Sequence, residues 1–248
     1  MQKMLKVRPV PTPCASCPIR ERALFQVVPV DYLNDAQSNR KDQYNLPARR
    51  HLYEEGDASI MAYTLFDGWM MLYRSHSDGG RQGLRIALPG DFIGYVPEGE
   101  AFVGHSAVAI TPSILCGFRQ QDLHNMLDDH SGLAAHINRI QTRYMASCQS
   151  ALLGLGRKSA EQRIAYLIAE LFHRLLNRQQ IPEGSSTMAF PITQEMLGDM
   201  TGLTPVHTNR VMRKLREDKV LSVGRQCLEI HDLKRLMELG EFSNTSVE

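Results

Sequence analysis

The sequence predicts an α+β chain in three parts: a β-roll, a long helix behind it, and a C-terminal helix-turn-helix. Three observations predict it. Short apolar runs separated by Gly, Pro and Asp turn signals fill residues 44–118. After Phe118 the period of two gives way to steps of three and four. Near the C-terminus two capped helical stretches meet at Gly202. With 248 residues the chain exceeds one minimal domain, and 43% hydrophobic with 22% charged residues suit a globular protein with a buried core.

Charge and cysteine content narrow the class. Lys plus Arg number 28 against 27 Asp plus Glu, a net charge of +1. That excludes a polybasic coat protein or an acidic tail and leaves local patches open. No stretch approaches the ~18 apolar residues of a membrane span, so no membrane partner is expected. Residues 1–30 are proline-rich and lack an apolar signal core, so export is not expected. Five cysteines, an odd number, then read as free thiols or metal ligands in a reducing cytoplasm.

Residues 1–43 form an irregular arm, broken by Pro9, Pro11, Pro13, Pro18 and Pro29 and carrying Cys14-x-x-Cys17. The roll follows over 44–118. Asp67-Gly68 between 61–66 and 69–76 is a two-residue hairpin signature. Asp78-Gly79-Gly80 makes the next turn, Leu84, Ile86 and Leu88 alternate, and Pro89-Gly90-Asp91 closes that strand. Residues 106–110 and 113–118, either side of Thr111-Pro112, are expected to form the last pair.

Residues 119–156 hold the long helix. Leu133, Ile137, Ile140, Tyr144, Ser147 and Ala151 recur at steps of four and three, a heptad seam over about twenty residues. A helix of that length beside a small roll suits pairing with a second copy, a homodimer. Packing on its own roll is the other reading. Gly154 and Gly156 are expected to hinge it to the last part, 157–248.

There a helix starts at Ser159, with Ile164, Leu167, Ile168, Leu171 and Leu175 on its apolar side, and a polar loop covers 179–187. Thr193 caps the next helix, with Glu195 in its first turn and Met196, Leu197 and Met200 facing inward. Gly202 ends it, and Thr204-Pro205 starts another at once. Two short helices around a tight glycine turn match the helix-turn-helix plan, whose second helix enters the DNA major groove.

That second helix carries Val206, His207, Asn209 and Arg210 in its first turns. Arg can address guanine, and Asn adenine, with paired hydrogen bonds. Arg213, Lys214, Arg216 and Lys219 can meet phosphates, and 207–216 contains no acidic residue. Thr204, Val206, His207, Asn209, Arg210, Arg213 and Lys214 are therefore the candidate contacts to double-stranded DNA. The bland alternative is the solvated face of an αα-hairpin. The double cap, the tight turn and the apolar Val211, Met212 and Leu215 argue against it.

The order of parts resembles the CRP/FNR superfamily of bacterial transcription regulators. The residues behind it are Leu52-Tyr53-Glu54-Glu55-Gly56-Asp57 and Leu88-Pro89-Gly90-Asp91-Phe92-Ile93-Gly94 in the roll. In the last part they are Arg157-Lys158-Ser159-Ala160-Glu161-Gln162-Arg163, Phe190-Pro191-Ile192-Thr193-Gln194, and Gly202 through Arg210. The resemblance implies a cyclic-nucleotide-binding-like roll, a dimerisation helix and a winged helix-turn-helix with its wing near 221–230. It also implies a symmetric dimer on a pseudo-palindromic operator, with RNA polymerase as a further partner. An FNR-type recognition helix has Glu and Ser where Val206 and Asn209 stand here, so only the guanine contact of Arg210 carries over.

The resemblance also bears on what the roll senses. A cyclic-nucleotide pocket needs a cation for the cyclic phosphate. Residues 92–118 hold no Arg or Lys and include Glu98 and Glu100, so no cyclic nucleotide is expected. Cys14 and Cys17, flanked by Pro13 and Pro18, are spaced to share one metal or cluster. Cys116 shares a strand face with Ile114 and Phe118. The three cysteines resemble the FNR-type oxygen sensors, which implies an iron–sulfur cluster of the 4Fe–4S kind. The FNR pattern has a further cysteine where Ala23 lies, so the fourth ligand is open among Glu21, Asp128, Asp129, His124 and His130; Cys148 is a weaker candidate.

Three other readings stay beside that one. The regulator can work without a cluster, through thiol oxidation, through another effector, or by abundance alone. For Cys116 by itself a packed small hydrophobe is the default. A thiol oxidoreductase is the distant alternative, but its cysteine pair would sit between a strand and a helix of a βαβ unit. No phosphate loop, catalytic triad order or His-x-x-x-His helix is present, and His105, His124, His136, His173 and His231 are isolated. The chain is therefore not expected to be an enzyme.

Overall fold

The structure is a computed structural model that describes residues 5–6, 11–29 and 32–243; of the arm's prolines, Pro9 lies outside them. The chain divides into two compact units, residues 1–74 with 85–142, and 75–84 with 143–248. The division falls inside a helix.

The first unit holds β1 (Leu5–Lys6), α1 (Leu33–Asn39), β2 (Arg40–Leu46), β3 (His51–Tyr53), β4 (Met61–Asp67), β5 (Met70–Ser75), the end of β6 (Arg81–Ala87), β7 (Phe92–Ile93), β8 (Ser106–Ala109), β9 (Ser113–Arg119) and α2 (Gln120–Asp129). α3 (Ser131–Arg157) leaves it. The arm runs in short 3-10 turns at Cys14–Ser16, Arg20–Arg22 and Leu24–Val27.

Its strands form two sheets, ordered β1-β2-β9-β4-β7 and β3-β8-β5-β6. This overturns two expected hairpins. β4 pairs with β7 and β9, whereas β5 lies beside β8 and β6, so Asp67-Gly68 turns the chain from one sheet to the other. Likewise β8 and β9 lie in different sheets, so Thr111-Pro112 is a second corner. The two corners are tied together. Trp69 N donates to Thr111 Oγ1 at 2.9 Å, and Ile110 N donates to Trp69 O at 2.7 Å. Gly68 sits at φ 93°, and a Cβ there would lie 2.4 Å from Ser113 Oγ. A two-residue turn motif is local, but which strand it feeds is decided by these contacts.

Leu65, Met70, Met71, Ile86, Leu88 and Leu115 are fully buried in the roll. A second apolar cluster covers the opposite face of the β2-β9-β4 sheet. It packs Leu24, Phe25 and Val28 of the arm, Leu33 and Ala36 of α1, Leu123 and Met126 of α2, and Leu133 and Ile137 of α3 against Cys116 and Phe118.

That cluster revises the expected seam. Leu133 and Ile137 are buried in their own unit and Ile140 packs against the same core. Tyr144 and Ser147 are half-buried and Ala151 is exposed. The large apolar side chains left open on α3 are Met145, Leu152, Leu153 and Leu155. Periodicity shows that a stripe is apolar; it does not say what covers it. Gly154 and Gly156 do not break the helix either. Each costs about 1 kcal/mol, and α3 continues to Arg157. The break comes from the next cap, where Ser159 and Gln162 form a reciprocal capping box.

The second unit holds α4 (Ala160–Asn177), β10 (Thr187–Ala189), α5 (Gln194–Thr201), α6 (Pro205–Glu217), β11 (Leu221–Val223), β12 (Cys227–Ile230) and α7 (Leu233–Gly240). Ile164, Leu167, Ile168, Leu171 and Leu175 of α4 are all buried, as their spacing requires. β11 and β12 form the wing hairpin, and β10 adds to its far side. Among the described residues no helix is long and apolar enough to cross a membrane.

Candidate nucleic-acid interface and cysteine site

The helix-turn-helix is built by its caps. Thr193 Oγ1 accepts from Met196 N at 3.2 Å and starts α5. Gly202 ends it in the left-handed region at φ 63°, and Leu203 N returns to Gly198 O at 3.0 Å. Thr204 Oγ1 then accepts from His207 N at 3.3 Å, with Pro205 opening α6. The turn presses on Gly198, where a Cβ would lie 2.5 Å from Leu203 O. Arg163 of α4 also donates to Thr201 O at 2.7 Å, satisfying an open carbonyl at the end of α5.

These contacts orient α6. Thr208, Val211, Met212 and Leu215 are buried, so the opposite side must face solvent. Val206, Asn209, Arg210 and Arg213 lie on that side at helical spacing and, with Gln194 and Pro205, line one concavity. Asn209 Nδ2 donates to Gln194 Oε1 at 2.9 Å, which holds the amide across the mouth of the helix pair. Gln194 was not singled out from sequence, although it directly follows the capping Thr193.

The remaining candidates have other positions. His207 is exposed beside the concavity, and the hydroxyl of Thr204 is engaged as the cap. Lys214 pairs with Glu161 of α4, whose carboxylate holds the ammonium above its ordinary pKa. Arg213 approaches Glu217 at 3.6 Å, with both side chains well exposed. Surface pairs of this kind contribute about 0–1 kcal/mol and yield easily to a phosphate. The wing tip at Gly224, Arg225 and Gln226 is exposed too.

Cys14 and Cys17 lie at the two ends of one 3-10 turn, with Cys17 N donating to Cys14 O at 3.4 Å. Cys116 is buried on β9. Burial pushes the Cys116 thiol up, the Gln43 hydrogen bond and the Arg40 charge pull it down, and Cys17 and Cys14 push it up again. Burial likewise raises Cys14, against Arg40, with Cys17 adding to the rise. The three thiols therefore share one electrostatic neighbourhood with one guanidinium. Cys148 on α3 and Cys227 on the wing stand elsewhere.

The fit to a metal group has two sides. Among the described residues no three His, Cys, Asp or Glu side chains converge closely enough for a single ion. A cluster holds its thiolates farther apart than one ion does, and three are available. Two donors flank Cys116 in the same row of the sheet: Gln43 Nε2 at 3.3 Å on β2, and on β4 the buried Thr64, whose Oγ1 has no partner. A hydrogen bond donated to the sulfur, as Gln43 supplies, suits an iron–sulfur centre.

The fourth corner is not supplied. His124 bonds Val96 O at 3.1 Å, and His130 packs on the Tyr32 ring. Glu21 lies in its own 3-10 turn, and Asp128 and Asp129 end α2. The available sulfur donors are the three cysteines, one fewer than a cube held wholly by protein cysteines requires.

A capped helix pair with a wing, carried behind a long helix and a two-sheet roll, defines a DNA-binding transcription regulator. Residues 162–239 match the Crp-like helix-turn-helix domain, and residues 44–130 match the cyclic nucleotide-binding domain. The chain is 30% identical over 176 residues to the nitrogen fixation regulation protein FixK of Rhizobium meliloti, covering 70% of this chain and 75% of that one. It is 27% identical over 203 residues to the anaerobic regulatory protein of Pasteurella multocida, covering 79% and 71%. Its fold matches the solved FixK2 from Bradyrhizobium japonicum with a TM-score of 0.71 at 23% identity, over 81% of this chain and 98% of that one. The chain belongs to the CRP/FNR superfamily of transcription regulators.

Proposed function

We propose that this regulator acts in the cytoplasm as a homodimer on a pseudo-palindromic operator, contacts RNA polymerase there, and responds to oxygen or redox state through Cys14, Cys17 and Cys116. The outer side of α6 over its concavity, with no acidic residue from 207 to 216, carries the DNA reading. Arg210 addresses a guanine, Asn209 and Val206 read beside it, and Arg213 with the wing tip meets phosphates. Thr204 holds the helix in place and His207 faces the groove edge, while Lys214 first has to leave Glu161. The dimer contact falls on Met145, Leu152, Leu153 and Leu155 of α3, the apolar side chains that its own chain leaves open.

For sensing, Cys14, Cys17 and Cys116 would hold three corners of an oxygen-labile iron–sulfur cluster, which supplies the redox chemistry when bound. The chain's own residues order the arm over the β2-β9-β4 sheet and keep Cys116 away from solvent. The loop that would face a cyclic phosphate carries Glu98 and Glu100 instead of a cation, so no cyclic nucleotide is assigned. The missing fourth ligand favours one second reading, oxidation of the thiols without a cluster.

Anaerobic purification with iron and sulfide analysis, paired with operator affinity before and after air, separates these. The cluster reading expects about four iron and four sulfide per chain, lost in Cys14→Ala/Cys17→Ala. Iron-free wild type, or equal iron in the variant, ends it. An air-dependent change of affinity with loss of free thiols in iron-free protein would establish the second reading.

A further inference from the structure

The arm that carries Cys14 and Cys17 is pinned at three successive backbone groups. Thr12 N donates to Gln43 Oε1 at 3.0 Å, Arg40 donates to Thr12 O at 2.6 Å, and Cys14 N donates to Gln37 Oε1 at 2.9 Å. Two of these anchors lie on β2 and the third on α1. Gln43 differs from the other two. Its side chain is only 2% exposed, and its other amide atom, Nε2, donates to Cys116 Sγ at 3.3 Å.

The orientation of that amide is determined by its surroundings. The Thr12 amide can only donate, so Oε1 must face it, and the NH2 group must then face the sulfur. Both atoms belong to one planar group. Gln43 and Cys116 are also direct partners across the β2–β9 ladder, which fixes the distance between their backbones. When Cys116 passes from a thiol to an ionised, ligated or oxidised sulfur, its strength as an acceptor for Nε2 changes, and Nε2 lies beside an apolar cluster where a weakened N–H bond is costly. The amide adjusts to that change, and the oxygen holding Thr12 moves with it because both atoms belong to one rigid group.

We propose that Gln43 is a positioning residue that couples Cys116 to the Cys14–Cys17 arm. Through this one amide, the bonding state of a sulfur on the sheet sets how firmly the arm is held above it. The proposal rests on the reading of these cysteines as the sensor, but not on which chemistry they use. Gln37 and Arg40 hold the arm independently of Cys116, so the arm loosens at Thr12 without detaching.

Residue-resolved amide hydrogen exchange on the full-length, reduced, metal-free protein tests it. Cys116→Val keeps the apolar volume and removes the acceptor; Thr12 N should then exchange about fivefold faster, the size of one net hydrogen bond. Cys116→Ser keeps an acceptor for Nε2 and should restore slow exchange. In a Gln43→Leu background, Cys116→Val should add nothing. Unchanged amides over β4, β5 and β8 of the same unit report that each variant is folded.

No acceleration by Cys116→Val overturns the proposal. So does equal acceleration with and without Gln43, or Cys116→Ser behaving as Cys116→Val does. Absence of iron would remove the cluster and leave this coupling standing. An indifferent Thr12 would remove the coupling and leave the cluster reading standing.

Discussion

Arg210 and its neighbours divide base reading from charge. Arg210 lines the concavity of α6 and, among the described residues, meets no acidic side chain in an ion pair, whereas Lys214 and Arg213 each have an acidic neighbour. Arg210→Ala should weaken specific binding by about 1–3 kcal/mol and relax one base position. Arg210→Lys keeps the charge and loses the planar fork, so nonspecific binding should survive while discrimination falls. Competition binding against operators varied one base pair at a time measures both, and unchanged discrimination would remove Arg210 from base reading. Gly198 makes a second residue-scale case. An added methyl meets the Leu203 carbonyl at 2.5 Å, so Gly198→Ala should cost about 1–3 kcal/mol by overpacking the turn. Urea unfolding gives that value directly, and no loss would mean the turn relaxes freely.

Between elements, the docking of α7 on α4 should be sensitive to pH. His173 of α4 stacks on Phe242 at 5.0 Å, just beyond α7, and its buried Nε2 has no partner. Burial holds the imidazole below its ordinary pKa, near 6.5 when unfolded. Above that value both states are neutral and the group adds no pH dependence. As pH falls below about 6.5 the unfolded chain takes up the proton first, so folded stability declines until the native histidine titrates as well. His173→Phe should remove that part of the acid slope. Urea midpoints at about pH 7.5 and pH 5.5 compare the two proteins, and parallel slopes would show that the buried ring does not drive it.

The caps at Ser159, Thr193 and Thr204 and the turn at Gly202 are local chemistry, so the helix-turn-helix was legible residue by residue. The wing was placed only through resemblance. Asp67-Gly68 and Thr111-Pro112 were misread because a turn motif does not name its strand partners; Trp69 joining both corners does. Gln43 and Thr64 had no signal at all. Their proximity to Cys116 exists only once β2, β9 and β4 are in register.

For the whole molecule, the near-zero net charge of +1 implies that the proposed homodimer should bind DNA far more tightly than one subunit does. A neutral chain gains little from its overall field, so attraction must come from a few cations on α6 and the wing. Each phosphate contact contributes about 0.9 to the slope of log affinity against log salt, and two subunits double the count. The side chains that could pair them are in the later turns of α3, beyond Leu133 and Ile137, which are buried in the first unit. Leu152 is 69% exposed and Leu153 59%, while Leu133 and Ile137 are buried. Leu152→Glu with Leu153→Glu should therefore give a folded monomer by sedimentation. That monomer should bind a half-site with about half the wild-type salt slope and lose tight binding to the full operator. A variant that still sediments as a dimer would move the contact off this face, and a monomer with the full slope would mean one subunit makes all the phosphate contacts.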